Sequence, residues 1–163
     1  MAHEASVKLL NDSVADELQA VHQYMYFHFH LADQGFRPLA DLFKRTAITE
    51  MGHVEALAER LLFLKHDVQL HAAGAVEPIT DPTAILEKAK AMEETSARDY
   101  NRAVTACEQD TGSRQVFERL IADEEQHFDE FDKHLEHIKR FGPNYLALQS
   151  FAADVPNRPA QAR

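Results

Sequence analysis

Four stretches of this chain of 163 residues place apolar side chains at helical spacing, and a glutamate interrupts each of the four stripes. In the first, about residues 5–33, the shared face is Val7, Leu10, Val14, Glu17, Val21, Tyr24, His28 and Leu31. In the second, about 38–65, it is Leu42, Phe43, Ala47, Glu50, His53, Val54, Leu57, Leu61 and Leu64. The third, ending near residue 109, carries Ile85, Leu86, Ala89, Glu93, Ala97, Tyr100, Val104 and Cys107. The fourth, about 113–140, carries Val116, Phe117, Leu120, Glu124, His127, Phe128, Phe131, Leu135 and Ile138. Nowhere does the pattern alternate with the two-residue period of a strand. Helices of this length, about 40 Å at 1.5 Å rise per residue, bury their stripes by packing side by side. The chain is therefore predicted to be all-α, a four-helix bundle.

The punctuation between the stretches sets the order of the helices. Gly35 and Pro38 end the first and start the second, and proline suits a first helical turn. Asp81-Pro82 supplies an N-cap acid followed by a proline. Asp110, Gly112 and Ser113 separate the third from the fourth, and Gly142-Pro143 stops the fourth. Residues 66–80 lose periodicity and include Gly74 and Pro78, which predicts a long connection. Two tight hairpins joined by one long crossover give up-down-down-up topology. A short fifth helix is expected over about residues 144–151, so that one domain spans 1–151. A flexible tail is expected over 152–163, which holds two prolines.

The interrupting residues carry the chemistry. Glu50 with His53, and Glu124 with His127, are Glu-x-x-His pairs, and positions three apart lie on one helix face. Glu17 and Glu50/His53 recur at a nearly constant offset as Glu93 and Glu124/His127. Each hairpin thus brings a lone Glu on its first helix and a Glu-x-x-His on its second, related by an approximate two-fold axis. Four carboxylates buried together without compensation would cost many kcal/mol. Two divalent cations balance them, and carboxylate with imidazole suits iron or manganese. Two-fold symmetry makes Glu50 and Glu124 the bridging pair, Glu17 and Glu93 the terminal ligands, and His53 and His127 one ligand to each ion. Glu94 competes with Glu93 for its role, and helical phase favours Glu93. Tyr24 lies two turns beyond Glu17 on the same face, placed either to serve the site or to fill the core. His22 and His30 fall off the stripe, and His28 either caps the site or packs.

Composition closes other routes. Cys107 is the single cysteine, which excludes an internal disulfide and a cysteine-built metal site and suits a reducing cytoplasm. A net charge of −10 disfavours nucleic acid as a partner. No apolar run reaches the eighteen or so residues of a membrane helix, and the first residues lack the pattern of a signal peptide.

The segments Glu17-Leu-Gln-Ala-Val-His-Gln-Tyr24, Glu50-Met51-Gly52-His53 with Ala58-Glu-Arg-Leu-Leu-Phe-Leu64, Glu93, and Asp123-Glu124-Glu-Gln-His127 make the chain resemble a bacterioferritin over about residues 5–150. The resemblance implies a ferritin-like fold and a 24-mer cage built from dimers. It implies a ferroxidase centre in each subunit at the six residues above, binding two iron ions. Fe(II) would be oxidised there by oxygen or hydrogen peroxide and stored as ferric mineral. It further implies haem b shared between two subunits, with Met51 and its mate as axial ligands, and a ferredoxin-type electron donor for iron release. A methionine beside a ligand points about 100° away from it, onto a flank where a dimer partner would pack. Arg45 and Thr49 depart from the pattern of some relatives, so an accessory iron site on the inner surface is not expected. The alternative is a rubrerythrin-like di-iron peroxide reductase without large-cage storage. A DNA-binding mini-ferritin and a non-enzymatic helical interaction protein fit less well, because both Glu-x-x-His pairs lie in one chain and every helix buries a glutamate.

Overall fold

The computed structural model describes residues 4–154. Five helices follow in order: α1 (Glu4–Asp33), α2 (Arg37–Phe63), α3 (Pro82–Ala106), α4 (Thr111–Phe141) and α5 (Tyr145–Asp154). The expected bundle is present, with the short fifth helix ending three residues beyond its sequence pattern. Of the predicted tail, residues 152–154 belong to α5, and 155–163 lie outside the described residues.

Local chemistry accounts for the boundaries. Asp81 caps α3 by accepting from the Ala84 amide at 2.9 Å, with a proline in the first turn behind it. Asp110 caps α4 by accepting from the Ser113 amide at 3.2 Å, and Arg60 of α2 reaches the same carboxylate at 2.6 Å. These bonds outweigh burial and hold the Asp110 carboxyl down at about 2. A Cβ at Gly112 would sit 2.7 Å from the Arg60 guanidinium, so a larger residue there would push Arg60 away from Asp110. Gly142, at φ +85°, stops α4.

The crossover is an ordered strap. Asn11 accepts from the Gln69 amide at 2.9 Å, Gln19 from Gly74 at 3.0 Å, and Gln23 from Glu77 at 2.8 Å. The side-chain amides of Gln19 and Gln23 donate back to the Ala75 and Glu77 carbonyls, and Gln34 donates to Thr80, each at 2.9 Å. One flank of α1 thus supplies donors and acceptors to a backbone without secondary structure of its own. Rising residue numbers in the strap meet rising numbers along α1, so the chain travels the bundle's length before α3 begins. That is the up-down-down-up order.

The core divides into two apolar halves. Tyr24, Phe27, Phe43 and Phe131 centre one, with Leu146 of α5 at its edge. Leu10, Leu57, Leu61, Tyr100 and Phe117 centre the other. Two details of the inner faces differ from the periodic pattern. Phe27 rather than His28 points inward, where it meets Phe43 edge-on at 5.5 Å. His28 instead lies between the helices of the first hairpin, with Nδ1 2.8 Å from the Ala40 carbonyl oxygen. Val21 and Val104 are likewise only half-buried, while their neighbours Ala20 and Ala103 take the inner positions. Residues on either side of a stripe's centre line are equivalent in phase, and the neighbouring helices decide between them.

Candidate metal centre

Between the two apolar halves lies a polar layer. Glu17, Glu50, Glu93, Glu124, His53 and His127 are all buried, the four carboxylates at 1–3% exposure. Each sits where its helix turns toward the bundle axis, flanked one turn away by core side chains. Of the adjacent pair, Glu93 is buried in this layer and Glu94 is exposed.

The six groups converge as two overlapping sets. Glu17, Glu50, His53 and Glu124 form one, and Glu50, Glu93, Glu124 and His127 the other, each with ligand atoms all within 4.8 Å of one another. Glu50 and Glu124 belong to both, as two-fold symmetry requires of a bridging pair. His53 Nδ1 lies 2.8 Å from Glu50, 3.1 Å from Glu124 and 3.2 Å from Glu17. His127 Nδ1 lies 3.1 Å from Glu50 and 3.5 Å from Glu93. The two rings are 6.2 Å apart.

Of these approaches that of His53 to Glu17 has the geometry of a hydrogen bond, while the others are close but badly aligned. Both oxygens of Glu50, one each of Glu93 and Glu124, and His127 Nδ1 are buried without a hydrogen-bond partner. Buried polar atoms left this way are costly. Lone pairs converging on two points fit cations better than they fit each other. Hard oxygen donors with one imidazole per point fit divalent iron or manganese.

Without cations, protons carry the balance. Burial, then the charge on Glu50, pushes Glu17 up to about 8. Burial, then the bond to Glu93, pushes Glu124 up to about 11. Burial alone would raise Glu50 as well, but His127 and His53 outweigh it and hold Glu50 at about 2. Burial opposes protonation of His127, yet Glu50 and Glu93 carry it up to about 10. His53 rises likewise, through Glu124, Glu17 and Glu50.

Tyr24 does more than fill the core: its hydroxyl donates to Glu93 Oε1. Tyr100 donates in the same way to Glu17 Oε1. Burial raises both phenols well above their usual range, so both remain donors. Each tyrosine holds the terminal glutamate of the opposite hairpin. The sequence reading left Tyr24 open and saw Tyr100 only as a core residue. The signal was present, since Tyr24 follows Glu17 by the same interval as Tyr100 follows Glu93.

Met51 lies outside this layer, 48% exposed on the outer face of α2, one turn from Ile48 at 63%. It leaves a soft thioether sulfur open on the flank of the bundle, beside an exposed aliphatic side chain. His22 is exposed, and His30 is half-buried with its ring 4.3 Å from that of Tyr26; neither reaches the carboxylates.

Comparison with known proteins agrees with this architecture. The ferritin-like domain family matches residues 7–141. The bacterioferritin of Desulfovibrio desulfuricans is 33% identical over 143 residues, 86% of this chain and 80% of the relative. That of Rhodobacter capsulatus is 32% identical over 149 residues, 90% of this chain and 92% of the relative. The crystal structure of the Rhodobacter capsulatus protein, described with a metal-free dinuclear site and a haem iron, superposes with a TM-score of 0.87. It is 28% identical and covers 100% of this chain and 99% of its own. The Mycobacterium tuberculosis bacterioferritin structure gives the same TM-score at 26% identity, covering 92% of this chain and 96% of its own.

Proposed function

Because the chain belongs to the bacterioferritin family, we propose that it stores iron, oxidising Fe(II) at the buried carboxylate layer and depositing Fe(III) inside a cage of its own copies. The single observation that carries this reading is the pair of overlapping four-residue sets sharing Glu50 and Glu124. Glu50 and Glu124 would be shared by the two ferrous ions, while Glu17 with His53 and Glu93 with His127 would each serve one. Four carboxylates neutralise the four positive charges. Two ferrous ions held there would each give up one electron, the pair that reduces oxygen to peroxide, or hydrogen peroxide with two protons to water. Tyr24 and Tyr100 fix the terminal carboxylates, so the layer is arranged before iron arrives. Met51 and the Met51 of a second copy would hold a haem between subunits, and the haem supplies a one-electron path for later reduction of stored iron, with a ferredoxin-type protein as electron donor.

The test is ferrous oxidation by Glu50→Ala and His127→Ala proteins, followed by ferric absorbance after exposure of the anaerobically loaded protein to oxygen. Loss of the rapid phase is expected, with helical circular dichroism retained. Unchanged kinetics in both variants would remove the site. Particle size separates storage from the peroxide-reductase alternative: a cage of two dozen subunits supports storage, and a dimer supports the alternative.

A further inference from the structure

The two halves of the internal repeat are unequal at one place beside the metal layer. His53 presents Nδ1 to the carboxylates, and its outer nitrogen, Nε2, lies 3.2 Å from Asp123 Oδ2. A neutral imidazole carries one N–H, and an acceptor at Nε2 keeps the proton there, leaving the Nδ1 lone pair free for a cation. Asp123 immediately precedes Glu124 in α4. The corresponding position of the first hairpin, immediately before Glu50 in α2, is Thr49. The Thr49 hydroxyl is turned back on its own helix, donating to the Arg45 carbonyl oxygen at 3.3 Å. Among the described residues, the carboxylates near His127 meet its Nδ1, and none meets its Nε2.

We propose that Asp123 is a positioning residue for one metal position alone, so that the ion held by Glu17 and His53 is bound more tightly than the ion held by Glu93 and His127. This inference rests on the two-metal reading given above. A carboxylate on the outer nitrogen fixes the ring and raises its basicity, and losing such a partner typically costs 10–100-fold in metal affinity. Among the described residues no carboxylate reaches the outer nitrogen of His127, so its ion is the more readily exchanged. Asp123 stands at the rim of a pocket of about 370 Å³ between α2 and α4, beside Gly52, Ala56 and Arg119, with its side chain 50% exposed. Replacing it therefore removes the bond to His53 without opening the core.

Co(II), which accepts carboxylate and imidazole donors and gives a visible spectrum on binding, is the probe. Glu93→Gln disables the His127 position and leaves the His53 position to be titrated alone. Glu17→Gln does the reverse. Adding Asp123→Ala is expected to lower Co(II) affinity tenfold or more in the Glu93→Gln protein, and to leave it within twofold in the Glu17→Gln protein. Asp123→Asn, which keeps an acceptor for the ring N–H, is expected to recover part of the loss, as a general structural defect would not. Equal losses in both backgrounds, or none in either, would overturn the asymmetry while leaving the two-metal reading intact. Failure of the otherwise unaltered protein to bind Co(II) would overturn both.

Discussion

At the scale of single residues, the metal-free layer is held together by protons, and pH should expose this. Glu17 and Glu124 bind their protons more tightly folded than unfolded, with pKa values raised from 4.5 to about 8 and about 11. His127 is raised from 6.5 to about 10, and His53 is raised as well. A raised folded pKa contributes stability that is complete below the unfolded value and lost as pH climbs through the folded one. Glu50 acts oppositely: lowered to about 2, it stabilises above 4.5, and that share is lost as the solution is acidified toward 2. The metal-free protein is therefore expected to melt progressively earlier as pH rises from 6.5 to 10, as calorimetry would show. A melting temperature that stays level or climbs across that window would contradict the proton balance. All six members of the layer were legible in the sequence, because a charged residue inside an apolar stripe is conspicuous. The tyrosine bonds were not, because Tyr24 and Tyr100 are as much at home in a core as in a site, and the group each hydroxyl meets belongs to the opposite hairpin.

Among the secondary-structure elements, the helices were legible for the same reason, and their ends were marked by Gly35, Asp81-Pro82 and Gly142. The connection from α2 to α3 was legible only as an absence of pattern. What orders it, the amide side chains of Asn11, Gln19 and Gln23, leaves no periodic trace, since asparagine and glutamine occur on any exposed helix face. Phase errors at His28 and Val21 share a cause: two residues straddling a stripe's centre are resolved by what the neighbouring helix offers, here Phe43 to Phe27. The aromatic half of the core gives the fold-level prediction. Phe131 is fully buried, stacked on Phe43 at 5.0 Å and tilted against Tyr24 at 5.9 Å. Phe131→Ala should cost about 3–5 kcal/mol, measurable as a lower urea midpoint at unchanged slope. A loss under about 1 kcal/mol would mean that the surrounding side chains close the cavity, contrary to the dense packing described.

For the whole molecule, the outer surface exposes several large apolar side chains, including Ile48, Met51, Leu62 and Phe63 on α2 and Leu148 and Phe151 on α5. Assembly into a cage would cover such side chains, in keeping with the family. Met51→Leu is expected to yield particles of unchanged size whose haem Soret band is missing; haem retained at normal stoichiometry would remove Met51 from the ligand set. Packing is far denser within each helical hairpin than between them, and midway along the facing surfaces the two hairpins meet through carboxylates, imidazoles and the paired tyrosines. The cations would then act as rivets through a seam. Emptied of them, the hairpins should breathe apart there, and amide hydrogens of α1 and α3 near Glu17 and Glu93 should exchange with deuterium sooner than those around Phe27 and Leu57. Adding Zn(II) should silence that difference, so the same ions that are cargo would also be the fasteners of their own container.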